Sequence, residues 1–253
     1  MVHFVGAGCG AKDLITLRGY RLLQEADVVI YAGSLVNPEL LEDTKKECAI
    51  YNSAKMTLEE VLTVIREAFL EKKEVVRLHT GDQSLYGAIR EQMDALEAWD
   101  IPFDSCPGVS SFSGAAAALN LEYTLPEISQ SVIITRMEGR TPVPQKESIA
   151  SFAAHNATMV IFLSTGLLES LTERLIEGGY KEDTPAAIVY KASWPEEEKY
   201  ICTVKTLFQT AKEHKITKTA LIIVGNVVYG ANYEKSKLYD PSFTTEYRKG
   251  TSV

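Results

Sequence analysis

The fold of this chain is decided by the segment Val75-Val76-Arg77-Leu78-His79-Thr80-Gly81-Asp82-Gln83-Ser84-Leu85-Tyr86-Gly87. Its first five residues predict a buried strand, and the two glycines that bracket the following loop allow close approach of the backbone to another group. In open α/β sheets, ligands bind at the carboxyl ends of the strands, which is where this loop lies. The segment therefore predicts an α/β fold with a ligand-binding loop. Asp82 is open to two interpretations, a cap of the following helix or an acceptor for an amine or ribose.

Outward from this segment, short strands alternate with amphipathic helices. The run Asp27-Val28-Val29-Ile30-Tyr31 has the continuous apolar character of a strand covered on both faces. The pattern Thr57-x-x-Glu60 is a capping box, which predicts the start of a helix. Such alternation favours a mainly parallel sheet. The other elements predicted in this half are a strand at 2–5, helices at 16–26 and 84–99, a strand at 101–106 and an alanine-rich helix at 113–119.

The pattern pauses at Leu125-Pro126-Glu127, and we place a domain boundary there. The predicted domains are residues 1–126 and 127–253. In the second half, the pattern predicts strands at 131–135, 158–163, 186–190, 200–204 and 220–224. Predicted helices cover 146–154 and 167–177, and the second ends at Gly178-Gly179, a usual stop signal.

Composition narrows the class of protein. The 253 residues carry a formal net charge of −8. Nucleic acid is a poor partner for such an acidic chain, because phosphate contacts need clustered Lys and Arg, and an anionic ligand would need a locally basic site. The sequence shows no signal peptide and no apolar run long enough to span a membrane, so we expect a cytoplasmic protein. The cysteines fit no zinc template, so we expect reduced, buried thiols and no metal site; they are Cys9, Cys48, Cys106 and Cys202.

Two further loops leave other functions open. Gly6-x-Gly8-x-x-Ala11 loosely matches the dinucleotide fingerprint, but the second strand runs into Tyr31-Ala32-Gly33-Ser34 without the carboxylate that would hold the ribose. A nicotinamide-dependent oxidoreductase is therefore a distant alternative. The turn Pro107-Gly108-Val109-Ser110-Ser111 could cap a helix or present a serine nucleophile, but Phe112 stands where the G-x-S-x-G elbow needs its second glycine. His79 adjoins the Gly81 loop, either as a core histidine or as part of a site.

Together, these loops resemble the tetrapyrrole methylase family, which comprises uroporphyrinogen, precorrin and diphthine methyltransferases. The order and spacing of the matching segments extend the resemblance over almost the full length of the chain. One of them is Asp13-Leu14-Ile15-Thr16-Leu17-Arg18-Gly19. The others are residues 5–8, 26–31, 80–87, 107–111, 158–163 and 220–225.

The resemblance implies a methyltransferase that uses S-adenosylmethionine and releases S-adenosylhomocysteine. It implies two α/β domains, with a mainly parallel N-terminal sheet and a mixed C-terminal sheet. The N-terminal domain would hold the tetrapyrrole trough, flanked by residues 6–10, and the C-terminal domain would close the cofactor cleft. Ser110 and Ser111 should approach the methionine part of the cofactor, and Leu163, Ala192 and Thr219 the adenosine. The full set of implied cofactor contacts is Thr80, Gly81, Asp82, Leu85, Tyr86, Ser110, Ser111, Leu163, Ala192 and Thr219.

The implied tetrapyrrole substrate is a polycarboxylate, and arginine binds carboxylates through paired hydrogen bonds. Arg136, Arg140 and Lys12 are the predicted substrate-binding residues, with Arg18 and Lys55 as secondary candidates. The alternative for the Arg136 and Arg140 pair is a solvated surface. Because the attacking carbon of a reduced tetrapyrrole is electron-rich, we predict no catalytic nucleophile and expect positioning to supply much of the rate. Many members of the family are homodimers, so we expect a homodimer.

Two segments, residues 31–36 and 134–144, resemble the branch that methylates carbon C11 of precorrin-4 or cobalt-precorrin-4. The chain departs from wider family patterns at Ala32, usually Asp in uroporphyrinogen methyltransferases, at Gln83, where Gly-Asp-Pro is usual, and at Cys9, often Pro. Another precorrin or uroporphyrinogen methyltransferase, a diphthine-type enzyme and a non-catalytic tetrapyrrole carrier are the alternatives. Any cobalt would arrive with the substrate.

Overall fold

The computed structural model describes residues 1–230 and 233–251 of the chain. Within these residues, the strands are β1 Val2–Gly6, β2 Val28–Tyr31, β3 Ala49–Asn52, β4 Val75–His79, β5 Phe103–Cys106, β6 Val132–Arg136, β7 Thr158–Phe162, β8 Pro185–Tyr190, β9 Glu198–Thr203 and β10 Ala220–Val224. The α-helices there are α1 Leu17–Glu25, α2 Leu58–Leu70, α3 Arg90–Ala98, α4 Ser111–Leu119, α5 Ile149–Ala153, α6 Leu168–Gly178 and α7 Leu207–Glu213. Short 3-10 turns join several of them.

The chain forms two compact units. The first consists of Met1–Ala115 together with the short segment Lys191–Glu197, and the second of Ala116–Tyr190 and the chain from Glu198 onward. The division of the sequence at residue 126 stays a prediction.

The sheet of the first unit is parallel throughout, in the order β3-β2-β4-β1-β5. Alternate residues of its strands feed two separate cores, as expected where helices cover both faces. One core contains Val5, Leu23, Val29, Val76 and Leu78. The other contains Phe4, Ile30, Ile65, Val75 and Leu96.

The strand order determines where loops can meet. Strands β4, β1 and β5 are neighbours, with Val2 of β1 level with both Val75 of β4 and Phe103 of β5. Because parallel strands all end at the same edge, the loops that follow these three strands must lie side by side.

The second unit contains a mixed sheet in the order β6-β7-β10-β8-β9. The β6–β7 pair is parallel, and the other three pairs are antiparallel. Its core includes Met159, Ile161, Leu171, Leu175, Ile188, Leu207 and Ile222. The predicted fold class, α/β with a mainly parallel first sheet and a mixed second sheet, is confirmed.

Some of the elements predicted from short sequence patterns are present as predicted. The capping box at α2 is present, because the Thr57 hydroxyl accepts a hydrogen bond from the Glu60 amide at 3.3 Å and the Glu60 carboxylate accepts one from the Thr57 amide at 2.7 Å. Strands β4 and β10 have the predicted bounds.

Other elements differ from the prediction. The helix predicted at 84–99 starts only at Arg90, since Tyr86 and Ala88 have left-handed φ angles of 57° and 49°, which a right-handed helix cannot contain. The helix predicted at 146–154 is shorter, Ile149–Ala153, with a 3-10 turn before it. The pattern missed β3 and α7, which are only 4 and 7 residues long and partly exposed.

Cys9, Cys106 and Cys202 are buried free thiols, and Cys48 is half-buried. In the described part of the chain, no helix combines the length and apolar character needed to cross a lipid bilayer.

Candidate functional site

Three loops meet at the carboxyl edge of the first sheet: the β1 loop (residues 6–10), the β4 loop (80–87) and the β5 loop (107–111). The Ala7 amide donates to the carbonyl oxygen of His79 at 2.7 Å. Gly8 and Gly81 exchange two backbone hydrogen bonds, of 2.8 and 3.2 Å. The β1 and β4 loops therefore continue to pair after their strands have ended.

Glycine is required where these backbones touch. A β-carbon on Gly108 would lie 2.1 Å from the carbonyl oxygen of Gly81, and one on Gly6 would lie 2.6 Å from the Cα of Gly108. Gly81 also has a φ of 62°, in the left-handed region. The three glycines thus bring all three loops into direct backbone contact.

Asp82 links the β4 loop to the β5 loop. Its Oδ1 accepts hydrogen bonds from the Ser84 amide at 2.9 Å and from the Ser84 hydroxyl, and its Oδ2 accepts one from the Gly108 amide at 2.8 Å. Burial acts to raise the pKa of Asp82, but the hydrogen bonds from Ser84 and Gly108 together outweigh it and lower the pKa below its ordinary value. Asp82 therefore caps the turn of its own loop instead of helix α3, and it carries a negative charge at neutral pH.

The other predicted cofactor residues of the first unit lie in the same cluster. Thr80 and Leu85 are half-buried, and Tyr86 is 45% exposed with its backbone in the left-handed region. Ser110 is buried, and a β-carbon on Gly81 would lie 3.4 Å from the Ser111 amide nitrogen. Ser111 begins α4, and the amide groups at a helix N-terminus favour an anion such as a carboxylate.

His79 belongs to the core side of this region. It is 3% exposed, and its ring centroid lies 6.3 Å from that of Phe4. Burial, with a smaller contribution from the charge of Arg77, lowers the pKa of His79 to about 3. The imidazole is therefore neutral at physiological pH and is a core histidine.

The segment Lys191–Glu197 adds a wall to the first unit. The Ser193 hydroxyl accepts a hydrogen bond from the Ala11 amide at 3.0 Å and lies 3.3 Å from the Cys9 thiol, while the Ser193 amide donates to the Glu197 carboxylate at 2.6 Å. Ala192 is buried, and its Cβ would be 3.5 Å from a β-carbon on Gly114. Sequence reasoning named Ala192 but missed Ser193, because no local pattern marks a serine that bonds to a loop more than 180 residues earlier.

Next to this wall is an open cavity of about 740 Å³. Its lining combines a cation, two carboxylates and two aromatic rings with apolar and amide groups: Ala11, Lys12, Asp13, Ile15, Leu17, Tyr20, Asn37, Glu39, Ser193, Trp194 and Pro195. Lys12 is paired with Asp43 at 2.8 Å, and hydrogen bonding to this carboxylate raises the pKa of Lys12. Arg18 and Lys55, the secondary candidates, are exposed and do not line the cavity.

Two predicted cofactor residues lie at one edge of the sheet in the second unit. Leu163 directly follows β7, and Thr219 directly precedes β10. These strands are antiparallel neighbours with Ile161 level with Ile222, so Leu163 and Thr219 lie at the same edge of the sheet. Both have left-handed backbones, with φ of 53° and 58°, and Leu163 is 66% exposed. Strain of this kind often marks functional positions, and the exposure of Leu163 excludes a core-packing role.

The two predicted substrate arginines differ from each other. Arg136 ends β6, and its guanidinium donates to the carbonyl oxygens of Met137, Thr141 and Pro142, the last at 2.8 Å. Arg140 lies in the loop that these bonds close, and it is exposed. Arg136 therefore organises the loop that presents Arg140, so the two do not form a simple solvated pair.

The fold and the site define a class of protein: a two-unit α/β protein whose first, parallel sheet carries three glycine-rich loops in direct backbone contact at its carboxyl edge. The family model described as Tetrapyrrole (Corrin/Porphyrin) Methylases matches residues 1–207. The chain belongs to this family.

Relatives with similar sequences cover nearly the whole chain. It is 53% identical over 248 residues to the cobalt-precorrin-4 C(11)-methyltransferase of Methanocaldococcus jannaschii, covering 98% of this chain and 96% of that protein. It is 40% identical over 239 residues to the precorrin-4 C(11)-methyltransferase of Mycobacterium tuberculosis, covering 94% and 95%.

Solved structures of related methyltransferases are also similar to this chain. The X-ray structure of a cobalt precorrin-4 methyltransferase superposes with a TM-score of 0.88 at 43% identity, covering 90% of this chain and 95% of that one. A uroporphyrin-III C-methyl transferase from Thermus thermophilus, complexed with S-adenyl homocysteine, gives a TM-score of 0.76 at 26% identity, covering 90% and 99%.

Proposed function

We propose that this chain transfers a methyl group from S-adenosylmethionine to carbon C11 of precorrin-4 or cobalt-precorrin-4, a step of cobalamin biosynthesis. The observation that carries the proposal is the 53% identity, across 98% of the chain, to a protein named cobalt-precorrin-4 C(11)-methyltransferase. The match therefore extends over both units of this chain and nearly the whole of the relative.

The loop cluster of the first unit has the features that the cofactor requires. Gly81 and Gly108 allow the backbones of the three loops to touch and so hold the loops together, and the N-terminus of α4 at Ser111 favours a carboxylate such as that of the methionine part. Asp82 supplies a negative charge in the β4 loop, which favours the positively charged groups of the cofactor. We assign cofactor binding to Thr80, Gly81, Asp82, Leu85, Tyr86, Ser110, Ser111 and Ala192 in the first unit, and to Leu163 and Thr219 in the second.

When bound, S-adenosylmethionine supplies a methyl group on a positively charged sulfur. The charge is dispersed as the methyl group moves, so a site that excludes water favours transfer. The residues of the loop cluster act by orienting and desolvating the reacting groups, because an electron-rich ring carbon needs no strong base to attack.

The cavity of about 740 Å³ beside the β1 loop is our candidate for part of the tetrapyrrole trough. Its volume is in the range of small-molecule sites, and Tyr20 and Trp194 offer flat faces to a ring system. Its two acidic groups, Asp13 and Glu39, would oppose the substrate carboxylates, and Lys12 is the cation in its lining. We assign Arg136 and Arg140 as further substrate-binding residues, because arginine binds carboxylates through paired hydrogen bonds. We also propose that the protein is a cytoplasmic homodimer.

The test is incubation of the purified protein with cobalt-precorrin-4 and precorrin-4, each with S-adenosylmethionine carrying a ¹³C-labelled methyl group. We expect one added methyl group by mass, assigned to C11 by NMR, and the preferred substrate will show whether cobalt is already in the ring. A label at another carbon would support another precorrin or uroporphyrinogen methyltransferase. The absence of transfer to either tetrapyrrole, with the cofactor bound, would contradict the proposal.

A further inference from the structure

Gln83 is an unusual loop residue because its polar side chain is buried. It is 4% exposed, whereas Ser84 beside it is exposed. Burying an amide group is costly unless it forms hydrogen bonds, so a buried glutamine in a surface loop calls for partners.

The partners of Gln83 belong to two different strands. Its Nε2 donates to the carbonyl oxygen of Phe4 in β1 at 3.3 Å and to that of Cys106 at the end of β5 at 3.2 Å. Its Oε1 is buried and has no hydrogen-bond partner among the described residues. Rotating the amide by 180° would place Oε1 against two carbonyl oxygens, so the orientation with nitrogen toward the strands is the one that forms bonds.

Two consecutive side chains thus fix the β4 loop to its neighbours. Asp82 reaches the amide of Gly108 in the β5 loop, and Gln83 reaches the middle of β1 and the end of β5. The loop also folds back on itself, since a β-carbon on Gly87 would lie 2.1 Å from the carbonyl oxygen of Gln83. The backbone at residue 83 is therefore located by its side chain, in a loop where Tyr86 and Ala88 already have strained conformations.

We propose that Gln83 is a positioning residue, whose carboxamide links the β4 loop to β1 and β5 and thereby sets the affinity of the protein for S-adenosylmethionine. The affinity part of this inference rests on the proposed function. Gln83 acts through Gly81, Asp82 and Tyr86 and has no need to touch the cofactor.

Three variants of the full-length protein test the proposal. Gln83→Met keeps the length of the side chain and removes both donors. Gln83→Glu keeps the shape and replaces the donating nitrogen with an oxygen. Gln130→Met is the matched control, because Gln130 is exposed in the second unit. Each variant is measured by calorimetry with S-adenosylhomocysteine, by thermal unfolding and by hydrogen exchange of the Gly81 and Leu85 amides.

We expect Gln83→Met to weaken S-adenosylhomocysteine binding about tenfold, since two modest hydrogen bonds are lost, and to speed exchange at both amides. Gln83→Glu should bind more weakly still at neutral pH, where its carboxylate faces two carbonyl oxygens. Its affinity should recover as the pH is lowered, because a protonated carboxyl group can donate to one of them. Gln130→Met should leave affinity and exchange unchanged.

Unchanged affinity and exchange in folded Gln83→Met would overturn the proposal. If Gln83→Met does not fold, Gln83→Glu decides: affinity that does not depend on pH would overturn it. If the wild-type protein fails to bind S-adenosylhomocysteine, the proposed function fails, and the affinity claim fails with it. In that case the exchange rates test only whether the Gln83 carboxamide holds the β4 loop to β1 and β5. Slow exchange of the Gly81 amide in every folded variant would show that it does not.

Discussion

At the scale of single residues, Asp82 is the side chain that joins two loops of the cluster. Both of its carboxylate oxygens are engaged, one with Ser84 and one with Gly108. The sequence left a cap and a ligand contact as alternatives. The structure shows that the carboxylate caps a turn and joins two loops, and its direct contact with the cofactor stays a prediction.

We expect Asp82→Ala to weaken S-adenosylmethionine binding at least tenfold while the chain stays folded, because removing hydrogen bonds to a charged group costs about 1.5–3 kcal/mol. Calorimetry with the cofactor and circular dichroism measure the two quantities. Asp82→Asn keeps one accepting oxygen but turns an amide nitrogen toward the donors on its other side, so its affinity should fall between those of wild type and Asp82→Ala. An unchanged affinity in both variants would remove Asp82 from the site.

The lowered pKa of Asp82 also predicts a dependence on pH. A carboxylate with a folded pKa below its unfolded value stabilises the fold above the unfolded value, about 3.9, and this contribution is lost as the pH falls through the folded pKa. The difference in stability between wild type and Asp82→Asn should therefore be constant at neutral pH and shrink below about pH 4.

His79 should make the first unit sensitive to acid. Its pKa is about 3 in the folded chain, so below about pH 6.5 the unfolded chain binds a proton that the folded chain does not, and the free energy of unfolding falls with pH. Between about pH 7.5 and pH 5.0, wild type should lose about 2 kcal/mol more than His79→Leu in urea titrations. If the free energies of unfolding of the two proteins change equally with pH, His79 is not held neutral in the folded chain.

At the scale of elements, the parallel order β4-β1-β5 and three glycines create the loop cluster. Gly108→Ala would place its β-carbon 2.1 Å from a backbone oxygen, which cannot move aside as a flexible side chain could. We expect a loss of about 1–3 kcal/mol of stability and of cofactor binding. Gly166→Ala is the control: its β-carbon meets no atom closer than 3.8 Å, so its effect should stay within about 0.5 kcal/mol. Equal stability of the two variants in urea titrations would contradict the close packing of the loops.

The loop after β6 gives a second prediction at this scale. Arg140→Ala should raise the KM for the tetrapyrrole and leave cofactor affinity unchanged, since Arg140 is exposed and is proposed to bind a substrate carboxylate. Arg136→Ala should raise KM as well, and should also speed hydrogen exchange in residues 137–142, because its bonds to three carbonyl oxygens close that loop. Steady-state kinetics in which Arg140→Ala changes only cofactor affinity would remove Arg140 from the trough.

At the scale of the whole molecule, we expect a homodimer. The second sheet ends in the edge strand β9, which exposes Ile201 to 56%, and an open edge with an apolar side chain is a site that proteins usually cover. Light scattering should give twice the chain mass of 28.0 kDa. A mass equal to one chain, at the concentration used for activity, would contradict this expectation.

The sequence by itself determined the α/β class, the parallel first sheet, the position of β4 and the family. The first three follow from local patterns, such as the apolar run of a buried strand, the capping box of Thr57 and the glycines that a close loop requires. Such signals lie within a few residues of each other, so they can be read along the chain. The family follows from resemblance, carried by the order and spacing of segments along the chain. The start of the helix predicted from Ser84 was wrong, because no local pattern marks the left-handed backbone at Tyr86 and Ala88.

Only the tertiary structure decided which groups are partners. Asp82 bonds to Gly108, 26 residues away, and Gln83 to Phe4, 79 residues away, because β1 lies between β4 and β5. The structure also shows that the Arg136 guanidinium closes the loop after β6, while its contact with substrate stays a prediction. The physical reason is common to Asp82 and Gln83: a hydrogen bond depends on distance in space, and strand order, which brings distant residues together, is not encoded in any single segment.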